Sequence, residues 1–76
     1  MSESHLAHLF RHEVGLPVLE YIHRHRICRG CVLLLRTEMS ILEIAVEVGY
    51  QSLSFFNRTF RRVVGESPRE YRSRGR

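Results

Sequence analysis

The sequence contains no lysine, no aspartate and no tryptophan. Every basic side chain is therefore an arginine, twelve against eight glutamates, for a formal charge of +4. With no aspartate, no serine in a nucleophile-elbow pattern and no glycine-rich loop after a strand, the common catalytic constellations have nothing to build on. Length points the same way, because a chain of 76 residues buries only ~60% of the surface its unfolded form exposes, and a deep walled pocket is hard to form. The expectation is a binding module, not an enzyme, with no cofactor. The longest uninterrupted apolar run, Cys31 to Leu35, is far short of the ~20 residues a membrane span needs, and no secretory leader is visible. An intracellular chain follows, in which Cys28 and Cys31 are reduced thiols rather than a disulfide.

What the chain does contain is enough to pack: 43% of its residues are apolar, too many for a charge-driven disordered tail. Its charge is uneven. Residues 1 to 48 hold five arginines and six glutamates, 49 to 76 seven arginines and two glutamates, so the basic pole is C-terminal. An arginine-only pole suits phosphate and guanine, because the guanidinium fork bonds two acceptors at once and stays charged at any physiological pH.

Hydrophobic spacing predicts an all-α chain of about five helices. Leu6, Leu9, Phe10 and Val14 share one face of a helix from about 3 to 14, capped by Ser2 or Ser4 and ended by Gly15. Pro17 opens a long helix, about 17 to 36, whose apolar residues Val18, Ile22, Ile27, Cys31, Leu34 and Leu35 drift around more than one face; Gly30 weakens it by ~1 kcal/mol. Ser40 with Glu43 three residues on is a capping box for a helix over 41 to 48, with Ile41, Ile44, Ala45 and Val48 inward. After the turn Gly49-Tyr50-Gln51, Ser52 caps a helix over 53 to 64, with Phe56, Phe60, Val63 and Val64 inward and Gly65 at its end. Ser67-Pro68-Arg69-Glu70 is a second capping box, opening a short helix through Tyr71 and Arg72.

Two short helices joined by a tight glycine-containing turn, 41 to 48 and 53 to 64, are the pattern of a helix-turn-helix. Ala45 is small where the helices would cross, and Gly49 can take the positive φ of a sharp turn. With Phe56, Phe60 and Val63 inward, Ser54, Asn57, Arg58 and Arg61 form an outward polar stripe. A major groove admits one such helix, and asparagine and arginine have bidentate geometries for adenine and guanine. Asn57 and Arg58 are thus the expected base readers. Gln51, Ser52, Arg61, Arg62, Arg69 and Arg72 are expected at phosphates.

The residues from Ser40 to Ser52, then Phe55-Phe56-Asn57-Arg58-Thr59-Phe60 and Gly65-Glu66-Ser67-Pro68-Arg69-Glu70-Tyr71-Arg72, resemble the AraC/XylS transcriptional regulators. Those regulators carry a hydrophobic-Ala-x-x-x-Gly-aromatic step, a Phe-x-Arg-x-Phe helix and a terminal Gly-x-x-Pro-x-x-Tyr-Arg. Upstream, His5-Leu6, Leu9-Phe10-Arg11, Gly15, Pro17, Tyr21-Ile22 and Leu34-Leu35 extend the resemblance over the whole chain. It implies two helix-turn-helix units on one connecting helix, reading successive major grooves: residues 1–15 as the remnant of the first unit, 16–36 as the connector and 37–76 as the complete second unit. A connector of about 20 residues spans roughly 30 Å, close to the ~34 Å between groove turns. Carried over by position, the second unit's base contacts are Leu53, Ser54, Asn57 and Arg58. Those of the first are Ser4, Ala7 and His8, which are weaker readers. The family's domain begins with about two helices more than this chain has, so the first unit is expected to be half present, truncated at its N-terminus, with Leu6, Leu9 and Phe10 uncovered.

Two rival readings compete with sequence-specific binding to double-stranded DNA. Cys28-Arg-Gly-Cys31 with His5, His8, His12, His23 and His25 suggests a metal, but every histidine precedes the cysteines and no second pair follows; no metal is expected. Helix 3 to 14 and the run Val32 to Leu35 suggest an interaction module that binds another regulator, or itself, and interferes without reading DNA. The resemblance also implies a bacterial, cytoplasmic, nucleoid-associated protein with RNA polymerase or another regulator as a further partner and no membrane.

Overall fold

A computed structural model describes residues 18–76. They form four helices: α1 (Val18–Arg36), α2 (Ile41–Glu47), α3 (Leu53–Val64) and α4 (Pro68–Gly75). All are where the spacing predicts helices, and no strand occurs among the described residues. The fifth expected helix, 3 to 14, lies outside them.

Local chemistry sets each boundary. Thr37 closes α1: its amide and its hydroxyl both donate to the Leu33 carbonyl, at 3.1 and 2.7 Å. The capping boxes at Ser40 and Ser67 are complete. Glu43 N donates to Ser40 Oγ at 3.0 Å while Ser40 N donates to Glu43 Oε1 at 2.8 Å, and the Ser67–Glu70 pair repeats this at 3.1 and 2.9 Å. These backbone donors hold both glutamate carboxyls below their usual range. Helix α2 ends in a Schellman motif, with Gly49 N donating to Val46 O and Tyr50 N to Ala45 O. Gly49 takes φ 107° there, the conformation a side chain would oppose.

Helix α1 lies against the other three. The core joins Ile27 and Leu34 of α1 to Ile44, Ala45 and Val48 around α2, Tyr50 of the turn, and Phe56 and Phe60 of α3. Ala45 is 1% exposed. Of the apolar residues that run around α1, only Ile27 and Leu34 are fully buried; Val18, Ile22, Cys31 and Leu35 are half-buried. The Ile27–Gly30–Leu34 stripe takes the deep positions, with Gly30 facing Phe56 of α3 and Ile44 of α2.

The last helix is longer than expected, running past Arg72 to Gly75. Its extra turn is fastened by contacts invisible in local sequence. Arg74 pairs with Glu66, and Arg76 pairs with Glu38.

Candidate nucleic-acid interface

Helix α3 is fixed at both ends and along one side. Ser52 Oγ accepts from Phe55 N at 3.2 Å, Gly65 ends the helix at φ 99°, and Phe56 and Phe60 anchor it in the core at 0% exposure. Residues three and four apart share a helical face, so burying Phe56, Thr59 and Phe60 turns Ser54, Asn57, Arg58 and Arg61 outward, and all four are exposed. Leu53, 38% exposed, starts this face. Gln51 and Ser52, just before the helix, are exposed too.

The outward face borders a groove between α3 and α4, lined by Leu53, Asn57, Arg58, Arg61, Arg69 and Arg72, with Ile41, Ser67 and Pro68 at its sides. Leu53 and Ile41 supply apolar surface, Asn57 donors and an acceptor, the arginines charge. Arg61 meets Glu70 only loosely, at 4.0 Å with both side chains more than half exposed. Arg69 is exposed and makes no ion pair among the described residues.

Two expected phosphate ligands have other partners. Arg62 turns to α1 and binds Glu20 through both carboxylate oxygens at 2.8 and 2.9 Å; this hydrogen bond holds the Glu20 carboxyl below its usual range. Arg72 is half-buried and donates from Nε to Leu34 O at 2.9 Å and from Nη2 to Thr37 O at 3.2 Å. It thereby satisfies carbonyls at the end of α1, which no intrahelical partner can reach. Of the seven arginines beyond residue 49, then, Arg62 and Arg72 tie α3 and α4 to the α1 region, Arg74 and Arg76 pair with Glu66 and Glu38, and Arg58, Arg61 and Arg69 border the groove together with Arg72. The partners lie up to 42 residues away in sequence, which is why the residue pattern alone did not separate the two sets.

Phe55, Tyr50 and His23 form an aromatic cluster beside the N-terminal turn of α3, a grouping that no spacing in the sequence marks. Tyr50, in the turn between α2 and α3, is 4% exposed. No periodicity marks such a residue, since it lies between helices.

The rival sites fare differently. Ser4, Ala7 and His8, and helix 3 to 14 of the interaction reading, lie outside the described residues. The run Val32 to Leu35 is not a continuous surface: Leu34 is 0% exposed and Leu33 half-buried, leaving Val32 outward. Cys28 is an exposed free thiol; Cys31 is a half-buried one, and burial pushes it up despite a hydrogen bond with Tyr71. Among the described residues no three histidine, cysteine or acidic side chains group as metal ligands, and no helix is long and apolar enough to cross a membrane.

Comparison with known proteins gives this geometry its context. A family model described as a helix-turn-helix domain matches residues 1–74. The transcriptional regulator MtrA of Neisseria gonorrhoeae is 37% identical over 75 residues, 99% of this chain and 25% of that protein. The arabinose operon regulatory protein of Salmonella typhimurium is 37% identical over 73 residues, 96% of this chain and 26% of that protein. This chain thus spans about a quarter of the length of these curated relatives. Among solved structures, the C-terminal domain of AraT, a response regulator from Geobacillus stearothermophilus, matches with a TM-score of 0.79 at 32% identity, over 97% of this chain and 61% of that one. MtrA and the arabinose operon protein are regulators rather than enzymes, and the chain belongs to their family, the AraC-type helix-turn-helix regulators.

Proposed function

We propose that residues 37–76 are a sequence-specific DNA-binding unit in which α3 enters the major groove. Leu53, Ser54, Asn57 and Arg58 read bases, while Gln51, Ser52, Arg61 and Arg69 hold phosphates. The observation that carries this reading is the outward face of α3: side chains able to recognise adenine, guanine and the thymine methyl stand together on its N-terminal half, beside a groove lined by four arginines, Arg58, Arg61, Arg69 and Arg72. The Ser52 hydroxyl accepts from its own helix and keeps its proton to donate to a phosphate oxygen. Arg62 and Arg72 leave the phosphate set, because their guanidinium groups hold α1 against α3 and α4.

On this reading α1 connects the unit to a first helix-turn-helix, whose recognition helix falls within residues 1–15, with Ser4 and His8 as lesser contacts. The protein regulates transcription on double-stranded DNA in a bacterial cytoplasm. RNA polymerase or another regulator is the class of protein it would meet there.

The test is a binding titration on a duplex selected by this chain from a random pool. Arg58→Ala is expected to cost about 1–3 kcal/mol on the selected duplex and little on scrambled DNA, because a bidentate guanine contact is sequence-specific. Equal losses on both duplexes would remove Arg58 from the base readers.

A further inference from the structure

Phe55 is an unusual residue on α3. It is 44% exposed although its neighbour Phe56 is fully buried, and it stands beside the base-reading face rather than in the core. Its ring is nonetheless held. Tyr50 meets it edge-on at 5.6 Å and His23 of α1 meets it edge-on at 5.6 Å. Those two rings stack on each other at 5.7 Å, and His23 Nδ1 lies 2.8 Å from the Tyr50 hydroxyl. Tyr50 packs in turn on Phe56 in the core at 5.5 Å. The exposed Phe55 ring is thus the outer end of an aromatic column that begins in the core and is braced by α1.

Arg58 lies over this ring, its guanidinium carbon 5.9 Å from the centroid. The two residues are three apart on one helix and therefore neighbours. The ring face is the negative pole of its quadrupole and attracts the cation. A long arginine side chain otherwise samples many rotamers, and fixing one on binding costs entropy. A guanidinium already docked on a fixed ring loses less when guanine arrives.

We propose that His23, Tyr50 and Phe55 form an aromatic strut that holds Arg58 in the orientation from which it reads guanine, with Phe55 as the positioning residue in contact with it. The inference rests on α3 being the base-reading helix. Discrimination by Arg58 then depends on a residue of the connecting helix, His23, thirty-five positions earlier in the chain.

Two measurements test this, and only one needs DNA. In the free protein, NMR reads the ring current of Phe55 as an upfield shift of the Arg58 side-chain protons. The shift is expected in the unaltered chain and in Phe55→Tyr, and is lost in Phe55→Leu. On the selected duplex, replacing the guanine opposite Arg58 measures discrimination. Phe55→Leu is expected to lower that discrimination about two- to fivefold, the weight of an exposed cation–π contact, without changing affinity for scrambled DNA. Phe55→Tyr restores it. Should Phe55→Leu fail to fold, His23→Leu removes the brace and leaves α3 intact, with the same direction of effect. Absence of the upfield shift overturns the strut, as does full discrimination in Phe55→Leu while Arg58→Ala loses it. Equal losses on selected and scrambled DNA would make Phe55 a merely structural residue. Full discrimination in Arg58→Ala would instead sink the base-reading role, and the strut's function with it, whatever the NMR shift shows.

Discussion

Replacing Gly30 by alanine should stabilise the protein. Gly30 is buried in the middle of α1, where glycine costs about 0.5–1 kcal/mol relative to alanine through its larger loss of backbone freedom. Whether that gain is realised depends on room for a methyl group. A Cβ at this position would stand 3.6 Å from Cε1 and Cζ of Phe56 and 3.8 Å from Cγ2 of Ile44. These are ordinary van der Waals distances, so the methyl adds contact without forcing the rings aside. The expected net effect is about +1 kcal/mol, which for a domain of this size raises the thermal midpoint by about 4–8 °C. Circular dichroism through a melt measures it, and DNA affinity should not move, because Gly30 is on the far side of Phe56 from the outward face. Gly49→Ala is the matched control with the opposite sign. Its φ of 107° disfavours any side chain, and the new Cβ would lie 3.1 Å from Arg26 Nε. A lower midpoint for Gly30→Ala would refute the reasoning, since it would mean that α1 and α3 approach more closely than these distances.

Other consequences concern charge. Arg69→Ala should flatten the salt dependence of DNA binding by about one unit of slope and leave the melt unchanged, whereas Arg62→Ala should lower the melt and leave the slope alone; the reverse pattern in a salt-titrated binding assay would exchange their roles. Acidification should destabilise the fold. Glu43 and Glu70, held by backbone donors of their caps, and Glu20, held by Arg62, all have carboxyls below the ordinary 4.5. A depressed folded value gives stability that is fully present above the unfolded value and is lost as pH falls through the folded one. Melting midpoints should therefore hold steady as pH falls to about 5 as far as these groups act, then drop. A midpoint that climbs in that acid range would contradict the capping roles.

Much of the fold was legible because its signals are local. Ser40 with Glu43, Ser67 with Glu70, and Gly49 and Gly65 each act on backbone groups within a few residues, so their spacing marks helix ends directly. The inward faces of α2 and most of α3 followed from periodicity for the same reason. Helix α1 was harder: its apolar residues run around the helix, and only its neighbours decide that Ile27 and Leu34 go deepest. Helix α4 runs past Arg72 because Arg74 and Arg76 are held by Glu66 and Glu38, and such side-chain pairing leaves no periodic trace.

By itself, the sequence determined an all-helical chain, a helix-turn-helix over residues 41–64, a family, and an outward face with asparagine and arginine together. Those properties depend on backbone capping, hydrophobic period and residue order. Only the tertiary structure divided the arginines. A guanidinium fork binds a glutamate, a carbonyl at a helix end or a phosphate with the same geometry, so composition could not tell Arg62 on Glu20 or Arg72 on Leu34 and Thr37 from Arg58, Arg61 and Arg69, which line the groove without such a hydrogen bond among the described residues. The absence of lysine takes its meaning from the same fact: planar bidentate cations both fasten this small fold and border its groove.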